Sequence, residues 1–275
     1  MRYYLSLIGI SLTALLINGC STTSTEVKPE EWKTIERTDK AVWADDASDI
    51  AVVSQSFEQQ QDNKRNITHR LFIQNADGSN KHEITPQARE NLNGEIYYMK
   101  QAGYLVVESL LDNGVRQFNK ILLDGREILI IETPNKDSQP CREESQGVQV
   151  FHTVLPSPDG QILANIYSPE CGAVSVDFLF ANNLNITSAQ YMNITEPLIA
   201  TWHKDGYIIL TNASKTNAWR VSMQESQPVP IPPPACVSPV TTSSNIASDG
   251  RKIIISETGE LTIENGGTQS AFGCQ

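Results

Sequence analysis

A pentapeptide turn followed by a β-branched apolar run recurs five times along this 275-residue chain. That repetition limits the fold more than any other feature. The copies are Trp43-Ala44-Asp45-Asp46-Ala47 before IAVVS, Met99-Lys100-Gln101-Ala102-Gly103 before YLVVES, and Pro156-Ser157-Pro158-Asp159-Gly160 before QILANIY. Trp202-His203-Lys204-Asp205-Gly206 before YIILTN and Ile246-Ala247-Ser248-Asp249-Gly250 before RKIIISE complete the set. Their first residues are separated by 56, 57, 46 and 44 positions. An Asp-Gly pair between extended segments supplies the positive-φ positions of a tight turn, and the short β-branched runs read as strands.

Each copy goes on to a second run and a second turn. The clearest is RLFIQNADGSNKHEIT (70–85), followed in later copies by KILLDGREILII (120–131), VDFLFANNLNIT (176–187), AWRVSMQESQPVPI (218–231) and GELTIENGGTQSAF (259–272). Four short strands in each unit of about 50 residues define a propeller blade. A β-sandwich also has short strands and turns, but it does not repeat one pentapeptide five times. The expectation is an all-β chain, a propeller of five four-stranded blades over residues 32–275. Six blades is the alternative, should the segment 28–40 pair with the C-terminus.

The turns SPDGQILA (157–164) and IQNADGSNKHEIT (73–85) resemble the TolB-type, WD-like propeller repeat, with the other copies degenerate. The second lacks the turn Asp, the fifth has Ile246 for the aromatic, and the fourth lacks the NADG turn. The resemblance covers nearly all of 35–275 and implies a fold and an interaction platform. It does not imply a reaction.

The N-terminus has a different character. Arg2 precedes an apolar stretch from Tyr3 to Ile17, which ends at Asn18-Gly19-Cys20. That stretch is shorter than the ~20 residues a bilayer span needs and suits a signal-peptide core. Ile17-Asn18-Gly19-Cys20 resembles a bacterial lipobox, with Asn18 departing from the usual small residue. The resemblance implies cleavage after residue 19 and lipidation of Cys20, a three-chain anchor that holds permanently at about 0.8 kcal/mol per buried CH₂. Ser21 stands where an Asp would retain such a protein in the inner membrane, so the implied location is the outer membrane, facing the periplasm. Residues 20–31 are polar and read as a tether with a reach of roughly 20 Å.

Four cysteines remain, Cys141, Cys171, Cys236 and Cys274. An even count in an exported chain points to two disulfides among three possible connectivities. Sequential pairing, Cys141–Cys171 and Cys236–Cys274, keeps each bond within one unit. The second bond would pin the C-terminus and contribute about 4 kcal/mol by loop entropy.

Catalytic motifs are absent from the sequence. There is no G-x-S-x-G, H-E-x-x-H, P-loop or G-x-G-x-x-G, and the cysteines lack metal-ligand spacing. No catalytic, cofactor-binding or metal residue is expected, and so no cofactor. His69 and His82 read as members of a solvated loop and His203 as a turn residue, while His152, on an inner strand, is placed to face the central channel. The recurrent Asp46, Asp159, Asp205 and Asp249 read as turn acceptors, and Trp43 and Trp202 as packing between blades. With Lys plus Arg at 21 and Asp plus Glu at 32, the net charge of −11 argues against nucleic acid as a partner. The resulting expectation is a non-enzymatic envelope lipoprotein that binds a protein partner and is attached to the membrane by its lipid. A small-ligand or glycan-binding propeller, or a propeller-type hydrolase or lyase, is the alternative.

Overall fold

The computed structural model describes residues 31–60, 62–85, 92, 94–111, 115–132, 152–169, 172–193, 198–212, 214–233 and 245–265. Every extended element among them is a β-strand, and all lie in one compact unit, Trp32–Gln275. The first sheet holds β1 (Lys33–Trp43), β2 (Asp49–Gln60), β3 (Asn63–Asn75) and β4 (His82–Glu83). The second holds β5 (Ile96–Met99), β6 (Tyr104–Leu110), β7 (Arg116–Leu122) and β8 (Glu127–Glu132). The third contains β9 (His152–Pro156), β10 (Ile162–Tyr167), β11 (Ala173–Phe180) and β12 (Ile186–Asn193). The fourth contains β13 (Leu198–Trp202), β14 (Ile208–Asn212), β15 (Ala218–Val221) and β16 (Val229–Ile231), and the fifth shows β17 (Lys252–Ile255) and β18 (Leu261–Glu264). Strands pair antiparallel in chain order within every sheet.

The sheets are the blades of a propeller. β1 packs against β5, β5 against β9, and β1 also against β17, so the first and last blades meet. Apolar clusters fill the seams. Val42, Ala51, Tyr98 and Leu105 lie between blades 1 and 2; Met99, Tyr104, Leu163 and Leu179 between 2 and 3; Ile166, Phe178, Trp202 and Leu210 between 3 and 4. Trp43, Ile50, Ala247 and Ile253 lie between 5 and 1.

All five pentapeptides fold alike. The fifth residue donates its N–H to the carbonyl of the second: Ala47 to Ala44, Gly103 to Lys100, Gly160 to Ser157, Gly206 to His203 and Gly250 to Ala247, at 2.8–3.1 Å. That fifth residue has positive φ in every copy, from +57° at Ala47 to +86° at Gly250. Glycine reaches this region without steric penalty, and Ala47 reaches it with strain.

The described residues give five sheets, and the C-terminal segment that a sixth blade would use lies outside them. Residues 33–40 form the inner strand of blade 1, from Lys33 opposite Gln59 to Lys40 opposite Val53. Their one backbone link to the last blade among the described residues is Thr38 N–H to the Gly259 carbonyl, 3.2 Å. Pairing with the adjacent β2 closes a short loop, which costs less entropy than reaching the far end of the chain.

Candidate functional site

The turn carboxylates are held by their own turns. Asp159 Oδ1 accepts from Ser157 Oγ at 2.6 Å and Gln161 N at 3.1 Å; Asp46 Oδ1 accepts from Ser48 N at 2.9 Å; Asp249 Oδ1 accepts from Arg251 N at 3.1 Å. Asp77, in the NADG turn, is held below the usual carboxylate range by the Ser79 hydroxyl and then the Ser79 N–H.

The histidines separate. His82 is exposed, its Nδ1 3.1 Å from its own loop's Asn80 carbonyl. His203 stacks on Tyr207 with centroids 4.4 Å apart, and its Nδ1 accepts from the Asp205 N–H at 3.3 Å. His69 corrects the loop expectation. It is buried, with Nε2 3.1 Å from Gln55 Nε2, because β3 runs for 13 residues and carries the position into mid-strand. His152 is corrected too. It lies in the seam between blades 2 and 3, 4.9 Å from Phe118 and 6.0 Å from Tyr167, and Nε2–H donates to Asn165 Oδ1 at 2.9 Å. Burial lowers its pKa to about 4 against the opposing bond to Asn165. A neutral imidazole packed in this way is a seam residue.

Polar side chains that the sequence reading passed over fasten blade to blade. Lys100 joins blade 2 to the turn of blade 1, with Nζ 2.8 Å from Asp49 Oδ2 and 2.6 Å from Ser48 Oγ, while its N–H donates to Asp45 Oδ1 at 3.0 Å. The bond to Asp49 raises the Lys100 pKa, and burial raises that of Asp45. Lys120 lies 4.7 Å over the Tyr104 ring and donates to the Ala181 carbonyl of blade 3, with burial lowering its pKa. Arg251 lies 4.5 Å over the Trp43 ring and donates to the Ala47 carbonyl at 2.6 Å. The available signal was a cation inside or beside an apolar strand, as in NKILL and GRKIII. Among the described residues, no three His, Cys, Asp or Glu side chains are grouped to hold a metal ion.

Several large apolar side chains are exposed. Ile128 and Leu129 on β8, Ile186 and Tyr191 on β12, and Phe180 at the end of β11 are large, apolar and 38–62% exposed. Ile67 on β3, Leu110 on β6 and Ile199 on β13 are exposed as well, so four of the eight lie on outer strands. These four form the candidate surface. Cys20, Cys141, Cys171, Cys236 and Cys274 lie outside the described residues, and so do the lipobox and both disulfide pairings. No helix among the described residues is long and apolar enough to cross a membrane.

No protein-family profile and no curated protein matches the chain. Solved structures do. An acylaminoacyl peptidase of Pyrococcus horikoshii aligns over 84% of this chain and 38% of its own, with 9% identity and a TM-score of 0.46. An uncharacterized protein of Listeria monocytogenes aligns over 66% and 52%, with 10% identity and a TM-score of 0.37. TolB from Acinetobacter baumannii aligns over 70% and 56%, with 13% identity and a TM-score of 0.29. The chain thus spans less than two thirds of the length of each of these three. The propeller assignment stands on the chain's own sheet order and on the contact between its first and last blades.

Proposed function

We propose that this protein is a lipid-anchored component of a bacterial envelope whose propeller docks a protein partner without catalysing a reaction. The observation that carries the reading is the division of labour among side chains. Turn carboxylates, Lys100, Lys120 and Arg251 are spent on turns and seams, whereas large apolar side chains are left exposed, four of the eight among the described residues on the outer strands β8 and β12. Large exposed apolar groups are the side chains that protein interfaces bury. Ile17-Asn18-Gly19-Cys20 supplies the anchor in this proposal, with the outer membrane facing the periplasm as the location.

Two experiments test it. A photo-crosslinking residue at Leu129 or Ile186, activated in intact envelopes, should give a discrete adduct, and the same residue at Lys204 should not. Equal labelling at all three positions, or none, would sink the docking surface. Separately, Cys20→Ala should abolish maturation and uptake of a palmitate analogue; a mutant that still matures and takes up label overturns the anchor.

A further inference from the structure

Blade 1 outgrows its neighbours at one end. Counted from the turn at Trp43 and Ile50, β1 and β2 hold ten residue pairs, out to Lys33 and Gln59. The inner two strands of blades 2, 3 and 4 hold four or five. At about 3.4 Å per residue, β1, β2 and β3 therefore project as a ribbon roughly 15–20 Å beyond the other blades. Directly opposed residues of such a ribbon share a face. Lys33 lies opposite Gln59, Ile35 opposite Phe57 and Arg37 opposite Gln55, and on the other side Gln59 lies opposite Lys64. Alternation thus gathers Lys33, Arg37 and Lys64 on the face of Phe57. The carboxylates Glu36 and Glu58 stand on the opposite face, with Glu58 tied to Arg65 at 2.7 Å. Asp39 lies at the register shift of β1, and Asp62 in the turn at the tip.

The side chains follow the backbone. Phe57 is buried, with Lys64 Nζ 4.6 Å and the Arg37 guanidinium 5.4 Å from its ring centroid. Lys33 and Lys64 flank Gln59 in the outermost three-stranded rung, roughly 10 Å apart at the backbone. Both lysines are exposed, and Arg37 is half-buried. Among the described residues none of the three forms an ion pair. Arg37 Nη2 donates to Gln55 Oε1 at 3.3 Å, while its Nε is buried without an acceptor among the described residues. Three like charges on one face repel, and a buried donor without an acceptor destabilises the fold. An anion on this face relieves both, once its oxygens draw the guanidinium fork outward.

We infer that Lys33, Arg37 and Lys64 form a binding site for a phosphate group, carried either by a free phosphate ester or by lipid headgroups. A tetrahedral phosphate offers oxygens to several cations at once, and it suits a guanidinium fork flanked by two ammonium point charges. On a protein of net charge −11, this local field draws in anions that the rest of the surface repels. The site is separate from the apolar surface on β8 and β12, so failure of one leaves the other standing.

The test is acetylation of lysines in the purified protein, read residue by residue by mass spectrometry. In one arm glycerol 3-phosphate, at several times its Kd, should slow acetylation of Lys33 and Lys64 about fivefold and leave Lys204 unchanged. In the other, nanodiscs of phosphatidylglycerol take its place. Protection counts where it exceeds that given by sodium chloride of equal ionic strength and by phosphatidylcholine discs. Protection by glycerol 3-phosphate assigns a free ester, protection by the discs alone assigns headgroups, and both support the inference. Lys64→Gln, at an exposed position, should abolish protection of Lys33 with an unchanged melting temperature. Arg37→Lys keeps the charge but loses the fork, and should raise the Kd about tenfold. Absence of protection in both arms, equal protection of Lys204, or protection of Lys33 that persists undiminished in both variants overturns the inference.

Discussion

Trp43 and Trp202 hold the same place in their repeats, each opening a pentapeptide turn and each buried against the preceding blade. Their seams nevertheless differ. Trp202 belongs to the seam between blades 3 and 4, where its indole N–H donates to the Leu155 carbonyl at 3.1 Å and its ring tilts against Phe178 at 5.9 Å. Trp43 belongs to the seam that closes the circle, between blades 5 and 1. Its indole N–H is buried without an acceptor among the described residues, and its face is covered by the Arg251 guanidinium. The contacts across that closing seam join residues 204 positions apart, against 47 for Trp202 and Leu155. Loop closure over the longer span costs about 1 kcal/mol more. Adjacent blades find register through their short connection, but the closing pair depends on whatever interlocks across the gap. Among the described residues that is the apolar cluster of Trp43, Ile50, Ala247 and Ile253, the Arg251 guanidinium, and the backbone hydrogen bond from Thr38 to the Gly259 carbonyl.

The contrast is broken most severely at Gly259. A Cβ there would lie 2.3 Å from Arg37 Cβ and 2.9 Å from the Thr38 nitrogen, and φ is +85°. Gly206 has a nearly equal φ of +81° and open space where its Cβ would project. Gly259→Ala is therefore expected to lose about 2–4 kcal/mol, strain plus overpacking, and Gly206→Ala about 1–2 kcal/mol from strain alone. Denaturant melts of the two variants make the comparison. Equal losses would show that the closing seam yields freely.

Acid should open an adjacent-blade seam before the closing one. His152 has a folded-state pKa of about 4 against an ordinary 6.5. Between these values the unfolded chain binds more protons, so stability rises with pH across the window, is complete above about 6.5, and is lost as pH falls toward 4. The shift corresponds to roughly 3 kcal/mol. His152→Gln should flatten the dependence of stability on pH between 4 and 6.5. An unchanged slope would mean that His152 is not the group responsible.

Arg251 and Arg126 separate latch from turn. Both follow an Asp-Gly pair and both bond back to that Asp, at 2.7 and 2.8 Å. Only Arg251 also reaches another blade. Arg251→Ala should lose about 1–2 kcal/mol and expose the last blade to protease, whereas Arg126→Ala should change stability by less than about 0.5 kcal/mol. The smallest effect is expected at Ala47. Ala47→Gly relieves a φ of +57° but removes a buried methyl from the closing seam, and these offset to within about 0.5 kcal/mol. A gain of 1 kcal/mol or more would show that the methyl contributes nothing to closure.

The candidate surface was only partly legible. The fourth strand of each blade could be placed from its turn, but exposure of Ile186 and Tyr191 depends on which face the register turns outward. A one-residue slip reverses that choice. His69 was misplaced for a related reason: blade 1 has strands of 11, 12 and 13 residues, longer than those in the other blades, and polar composition hid that extension.

What the sequence by itself determined are the five turns and the strands flanking them. A turn closes within four residues through a left-handed fifth position, helped by an Asp acceptor at Asp46, Asp159 and Asp249, so its information is local. The tertiary structure alone decided that residues 33–40 complete blade 1, that His152 enters a seam, and that Arg251 reaches across from the last blade to the first. Each of these depends on partners that local pattern does not specify, brought together only when burial of apolar seams sets one blade against the next.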